Sequence, residues 1–185
     1  MSNMRVIAGK FKGRKLDIPK TTLRPTLDRT KETLFNILQT YVPNAKVLDL
    51  FAGSGGLGLE AISRGAEFCV FVDINKDASK IIKANCEKCG VQNASVVNLP
   101  YDVAITGLKQ KFDLVFADPP YADGFYYDIL KRLEKSDLLA KDAIVVLEHD
   151  TETELPDSVG NLSKYRQKIM GKCSFSFYQV VGDEQ

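Results

Sequence analysis

The chain has 185 residues, 44% of them apolar and 26% charged, which is enough for one substantial core and short for two. Such a composition excludes an extended disordered chain and points to a single globular domain spanning residues 1–185. The opening Met1-Ser2-Asn3-Met4-Arg5 has no apolar leader, and no stretch approaches the roughly 18 apolar residues of a membrane helix, so a soluble cytoplasmic protein without membrane contact is expected.

Charge is balanced overall but not along the chain. Residues 1–31 carry Arg5, Lys10, Lys12, Arg14, Lys15, Lys20, Arg24, Arg29 and Lys31 against Asp17 and Asp28, whereas the rest of the chain is net acidic. A basic arm on an acidic body suits a polyanionic partner, because Lys and Arg displace counterions from phosphates. A solvated, flexible leader is the alternative reading. After the arm, Leu34, Ile37, Leu38 and Tyr41 follow helical spacing between Asp28 as cap and Pro43 as stop, which predicts a helix over 29–41.

From residue 44 onward, short apolar runs alternate with helix-length segments. The runs are Val47 to Phe51, Cys69 to Val72, Ser95 to Val97, Leu114 to Ala117 and Ile144 to Leu147, with helices expected near 57–64, 76–89, 101–109 and 124–134. Strands without polar alternation are buried on both faces, so the class is doubly wound α/β with a mostly parallel sheet. The tail breaks the rhythm. Tyr165 to Met170 and Ser174 to Val181 are joined at Gly171-Lys172 with no room for a crossover helix, so they must be antiparallel.

Two motifs carry chemistry. Where the first strand becomes a helix, the chain reads Asp49-Leu50-Phe51-Ala52-Gly53-Ser54-Gly55-Gly56-Leu57-Gly58, and Asp73 stands twenty residues after Gly53 at the end of the second strand. A glycine turn ahead of a helix N-terminus, followed by an acid placed to accept from ribose hydroxyls, suits an adenosine ligand. The spacing also satisfies the dinucleotide fingerprint. Asp49 argues against NAD, since it would repel a pyrophosphate but could serve a cationic amino-acid tail. The second motif, Asp118-Pro119-Pro120-Tyr121, ends the fourth strand. The lone pair of an exocyclic base nitrogen is delocalised into its ring. It attacks an electrophilic methyl well only when acceptors hold its N–H groups and balance the charge that develops, as the Asp118 carboxylate and the Pro119 carbonyl are placed to do. Pro119 and Pro120 fix an extended backbone, and Tyr121 offers a face on which an unstacked base can rest.

Other features are weaker. Cys69, Cys86, Cys89 and Cys173 form no framework and read as reduced thiols, and Cys86-x-x-Cys89 lacks the second pair of a zinc site, so no metal is expected. His149, after the fifth strand, is assigned a structural or pocket-rim role.

The segments Arg5-Val6-Ile7-Ala8-Gly9-Lys10-Phe11-Lys12-Gly13-Arg14 and Leu23-Arg24-Pro25-Thr26-Leu27-Asp28-Arg29-Thr30-Lys31-Glu32-Thr33-Leu34-Phe35-Asn36, with the two motifs, resemble the bacterial 16S ribosomal RNA guanine-N2 methyltransferase family over nearly the whole chain. The resemblance implies a seven-stranded Rossmann-like methyltransferase sheet with its last strand antiparallel. It implies S-adenosylmethionine as donor, and a guanine of 16S rRNA in the small ribosomal subunit or its assembly intermediate as acceptor. On this reading a monomer binds the cofactor through Asp49, Phe51, Gly53, Gly55, Gly58, Asp73 and Ile74, with Thr26 folded over that side. Asp118, Pro119, Pro120 and Tyr121 act on the base, and Arg5, Lys10, Lys12, Arg14, Lys15, Arg24 and Arg29 contact RNA. Lys31 stands where the family pattern suggests Arg, and phosphate attraction is expected to survive that change. Asn98-Leu99-Pro100-Tyr101-Asp102 departs from the pattern where the adenine would be touched. The same acceptors would also serve adenine N6 or cytosine N4. A NAD-dependent oxidoreductase and a non-catalytic RNA-binding assembly factor are the readings from other classes.

Overall fold

The apolar runs assemble into one sheet, seen in a computed structural model that describes residues 4–19, 28–120 and 125–182. Strands β1 (Lys46–Leu50), β2 (Phe68–Val72), β3 (Ala94–Val97), β4 (Phe112–Ala117) and β5 (Leu139–Asp150) are parallel in the order β3-β2-β1-β4-β5. Beyond β5 lie β8 (Cys173–Val180), β7 (Leu162–Met170) and β6 (Ser158–Val159), each antiparallel to its neighbour. The first strand sits between β2 and β4, so the strand order reverses there. Such a reversal opens a crevice at the carboxyl ends of the strands.

Helices cover both faces, which is why the parallel strands are apolar on both. One face packs Leu34 and Phe35 of α1 (Asp28–Ile37), Leu59 of α2 (Gly56–Ser63) and Ile82 of α3 (Lys76–Cys89) on Val47, Phe71 and Phe116. The other packs Ala104 of α4 (Tyr101–Gly107) and Ile129, Leu130 and Leu133 of α5 (Phe125–Lys135) on Leu48, Val70 and Val115.

The expected elements are found, with three corrections. The sheet has eight strands, not seven, because the two-residue β6 is too short to leave a pattern in the sequence. The first helix closes at Ile37 and continues as turns, with Tyr41 N–H donating to Leu38 O at 2.9 Å. Pro43 disfavours helical backbone at Val42, and it is Val42 that turns into the core, leaving Tyr41 exposed.

The third correction concerns the amino-terminal segment. Residues 4–19 are not a free leader: Met4, Val6, Phe11 and Leu16 are buried, and Val6 N–H donates to Arg14 O while Gly13 N–H donates to Val6 O. This loop of chain is held from outside as well. Ile7 and Ala8 N–H donate to the two carboxylate oxygens of Glu60 on α2 at 2.8 and 3.0 Å, and Phe11 N–H donates to Ser63 Oγ at 2.9 Å. Lys31 is fully buried on α1, 3.6 Å from Glu60, and donates to Arg5 O, so it attracts no phosphate. Burial lowers its pKa, opposed chiefly by the Glu60 and Asp28 charges. The expectation of a phosphate contact failed because its position on the inward stripe of α1 outweighs its chemistry.

Glu60→Ala would strand the Lys31 ammonium and two backbone donors in a dry interior, so it should destabilise the fold by about 3–5 kcal/mol. A urea titration measures the loss, and hydrogen exchange should show Ile7 and Ala8 losing protection first. An unchanged midpoint would contradict the role given to Glu60.

Candidate cofactor and acceptor site

The glycine loop leaves β1 through a left-handed Phe51 (φ 59°) and turns at Gly53 (φ 57°) and Gly55 (φ 78°) before α2 begins. A left-handed phenylalanine is strained, and such strain persists only where the surroundings enforce it. They do here: the Phe51 ring lies 5.1 Å from Tyr101 and 6.1 Å from Phe125, at the heads of α4 and α5. Gly58 is required by packing, because a Cβ there would stand 2.3 Å from the Phe71 ring and 2.6 Å from Cys69 Sγ. The helix therefore lies close on β2, and its start is fixed relative to the strand ends.

Acids at those strand ends hold the loop. Asp49 Oδ2 accepts from Gly58 N–H at 2.9 Å, satisfying a donor in the first turn of α2. Asp73 accepts from Gly53 N–H at 2.9 Å and from Asn75 N–H at 2.8 Å. Asn98, at the end of β3, donates its side-chain amide to the carbonyls of Asp73 and Ile74, both at 2.9 Å. Ile74 is 68% exposed and Leu99 40%, two apolar side chains left open at the ends of β2 and β3.

Asp118 follows β4 on the face that carries Asp49 and Phe116, with Pro119 buried and Pro120 exposed behind it. Burial pushes its carboxyl up to about 7. Burial likewise raises Asp49 well above the carboxylate range, opposed by the Gly58 bond and reinforced by the charges of Asp118 and Asp73. Among the described residues no cation pairs with any of the three. Two poorly solvated acids, Asp49 and Asp118, with Asp73 beside them and no cation paired to any of them among the described residues, suit a cationic ligand.

The structure thus brings together Asp49, Gly53, Gly55, Gly58, Asp73, Ile74 and Asp118. Phe51 belongs to the same loop, but its ring packs on the opposite face of the sheet from Asp49. Thr26, Arg24 and Tyr121 lie outside the described residues. Arg5, Lys10, Lys12, Arg14, Lys15 and Arg29 are exposed. Three of them have partners: Arg5 pairs with Asp28 at 2.7 Å, Arg14 donates to Lys88 O at 2.7 Å, and Lys10 Nζ lies 5.6 Å over the Phe11 ring. Lys10 sits by Ser63, at the far end of α2 from the glycine loop, whereas Arg5 follows Met4, whose sulfur lies 3.1 Å from Ser54 Oγ within that loop.

His149 is buried, with Nε2 2.9 Å from Ser176 Oγ and Nδ1 2.8 Å from Asp150 O, and burial lowers its pKa. It ties β5 to β8. Sequence reasoning singled out the Asn98–Asp102 segment but gave Asn98 and Tyr101 no role in holding the loop, and it missed Phe125 and Glu60. Of these only Glu60 had a visible signal, as the lone charge in the apolar helix Gly-Leu-Gly-Leu-Glu-Ala-Ile-Ser.

Residues 4–179 match the family described as Conserved hypothetical protein 95. Ribosomal RNA small subunit methyltransferase D of Escherichia coli (strain K12) is 38% identical over 95% of this chain and 89% of its own length. Bacillus subtilis (strain 168) YlbH is 38% identical over 97% of this chain and 100% of its own length. The solved structure of Escherichia coli yhhF superposes with a TM-score of 0.89 at 36% identity, covering 97% of this chain and 99% of that one. The chain belongs to the Conserved hypothetical protein 95 family, in which the E. coli relative is named Ribosomal RNA small subunit methyltransferase D.

Proposed function

We propose that this S-adenosylmethionine-dependent rRNA methyltransferase acts, as a monomer, on the exocyclic N2 of a guanine in 16S rRNA of the assembled or assembling small subunit. The observation that carries the reading is the set of Asp49, Asp73 and Asp118 at the carboxyl ends of β1, β2 and β4, crowded and without a cation among the described residues. Those residues fit a donor that carries an ammonium and a sulfonium, and they disfavour a pyrophosphate. When bound, S-adenosylmethionine supplies an electrophilic methyl group. Asp73 would receive ribose hydroxyls, and the exposed Ile74 and Leu99 would offer apolar surface for an adenine.

The acceptor side is read in the same way. Asp118, with the Pro119 carbonyl, would accept the N–H groups of the target amine, orient its lone pair and balance the charge that grows on nitrogen. The proton released afterwards needs only water. Lys10, Lys12 and Lys15 would bind phosphates flanking the flipped base, at a distance from the chemistry that calls for an extended RNA surface.

Asp118→Ala should lower turnover by about 10²–10³ while the cofactor still binds, since one preorganised electrostatic partner is lost. Asp118→Asn should show a partial defect. Tritiated-methyl transfer to undermodified particles, with nucleoside identification, separates the two, and a fully active Asp118→Ala enzyme contradicts the mechanism. The raised carboxyl adds a pH signature. In the free protein, Asp118 contributes stability that is fully present below about 4 and lost as the pH rises through about 7. The kcat/KM, which reports the free enzyme and needs the ionised form, should rise through about 7 and then level, and the Asp118→Asn profile should lack that limb.

Asp73→Ala removes both a ribose acceptor and the bonds that hold Gly53 and Asn75. Calorimetric titration with S-adenosylhomocysteine should show a roughly tenfold to hundredfold weaker complex, and unchanged affinity would place the adenosine elsewhere. For the basic surface, replacing Lys10, Lys12 and Lys15 together by Ala should flatten the log–log salt dependence of RNA binding by about 2–3 units. Filter binding across a salt series reads the slope, and an unaltered slope would remove RNA from this surface.

A further inference from the structure

An amine alone does not distinguish guanine from adenine or cytosine, since each base has one. The adjacent ring nitrogen does. In guanine N1 carries a hydrogen and donates, whereas N1 of adenine and N3 of cytosine are bare and accept. A flipped base is read on this edge.

The pairing of β4 with β5 runs Phe116↔Val146 and Ala117↔Leu147, so Asp118 and Glu148 follow side by side. Side chains at matching positions of neighbouring parallel strands point to the same face. The face of Glu148 is fixed a second time by its pairing with Phe175 of β8, which shares a buried cluster with Phe116 and Val146. Neighbouring strands lie about 4.8 Å apart, a spacing that one base edge can bridge. Both acids bear on the same thiol. Burial pushes the Cys173 thiol up to about 11, and the charges of Glu148 and Asp118 and a hydrogen bond with Glu148 add to that rise. Glu148 is only 8% exposed, an unusual position for a carboxylate that serves no purpose.

We propose that Glu148 determines the base: its carboxylate accepts the N1–H of guanine while Asp118 and the Pro119 carbonyl accept from N2. The proposal rests on the guanine-N2 reading and extends it to a reason for that choice. Adenine or cytosine would set a bare nitrogen lone pair against a buried carboxylate. A site built around a substrate N–H rejects analogues that lack it by up to about 10⁴–10⁵.

The atomic probe is 2-aminopurine, which keeps the N2 amine but has a bare N1. Wild type is first given natural undermodified particles, and the methylated guanine is located. It is then compared on particles reconstituted from RNA in which splinted ligation has placed 2-aminopurine at that position. The expected kcat/KM ratio of guanine to 2-aminopurine is roughly 100-fold or more. Glu148→Gln, whose amide can donate to a bare N1, should shrink that ratio at least about tenfold while leaving S-adenosylhomocysteine affinity unchanged. Equal use of the two bases by wild type would overturn the proposal whatever the variant does, and so would an unchanged ratio in a variant that still binds S-adenosylhomocysteine. If wild type labels no guanine N2 in natural particles, the guanine reading itself fails, and the assignment of Glu148 falls with it.

Discussion

One buried carboxylate organises the half of the molecule that faces the arm. Glu60 receives Ile7 and Ala8 N–H from the amino-terminal segment, Arg64 Nε from its own helix at 2.8 Å, and the Lys31 ammonium from α1 at 3.6 Å. Desolvating an acid and an ammonium is costly, and the cost is offset only when several hydrogen bonds converge on the pair. Here they come from three separate parts of the chain. The same interaction therefore closes the core over α2 and fixes where that helix begins.

The position of α2 then sets the glycine loop. Its Gly58 N–H donates to Asp49 of β1, and Gly58 lies against Phe71 of β2, so the loop is shaped by contacts that need no ligand. Asp73 and Asn98 complete the frame from the ends of β2 and β3. A preformed loop spares the ordering entropy of binding. The drawback is a concentration of acids that repel one another in the free protein. That tension is what a cationic ligand relieves, so the electrostatic cost of the fold and the affinity of the pocket have a common origin.

The amino-terminal segment has two chemistries on alternate faces. Met4, Val6, Phe11 and Leu16 are buried while Arg5, Lys10, Lys12 and Lys15 remain exposed. Rigid docking holds those cations at a set distance from the strand ends. A surface fixed in this way positions an RNA as well as attracting it.

The strands themselves and the two site motifs could be read from sequence because they depend on local facts: continuous β-branched runs, a glycine turn before a helix, and an acid-proline-proline end to a strand; the strand order came only from the sheet. The helix 76–89 and the tail hairpin at Gly171-Lys172 were legible for the same reason. What sequence could not supply were pairings between residues far apart in the chain. Lys31 was indistinguishable from its basic neighbours until α1 turned it onto Glu60, 29 positions away. Likewise Glu148 carried no motif, and only the register of β4 on β5 set it beside Asp118. Local conformational preference is written in adjacent residues, whereas burial and charge pairing arise only when the sheet has brought distant strands and helices together.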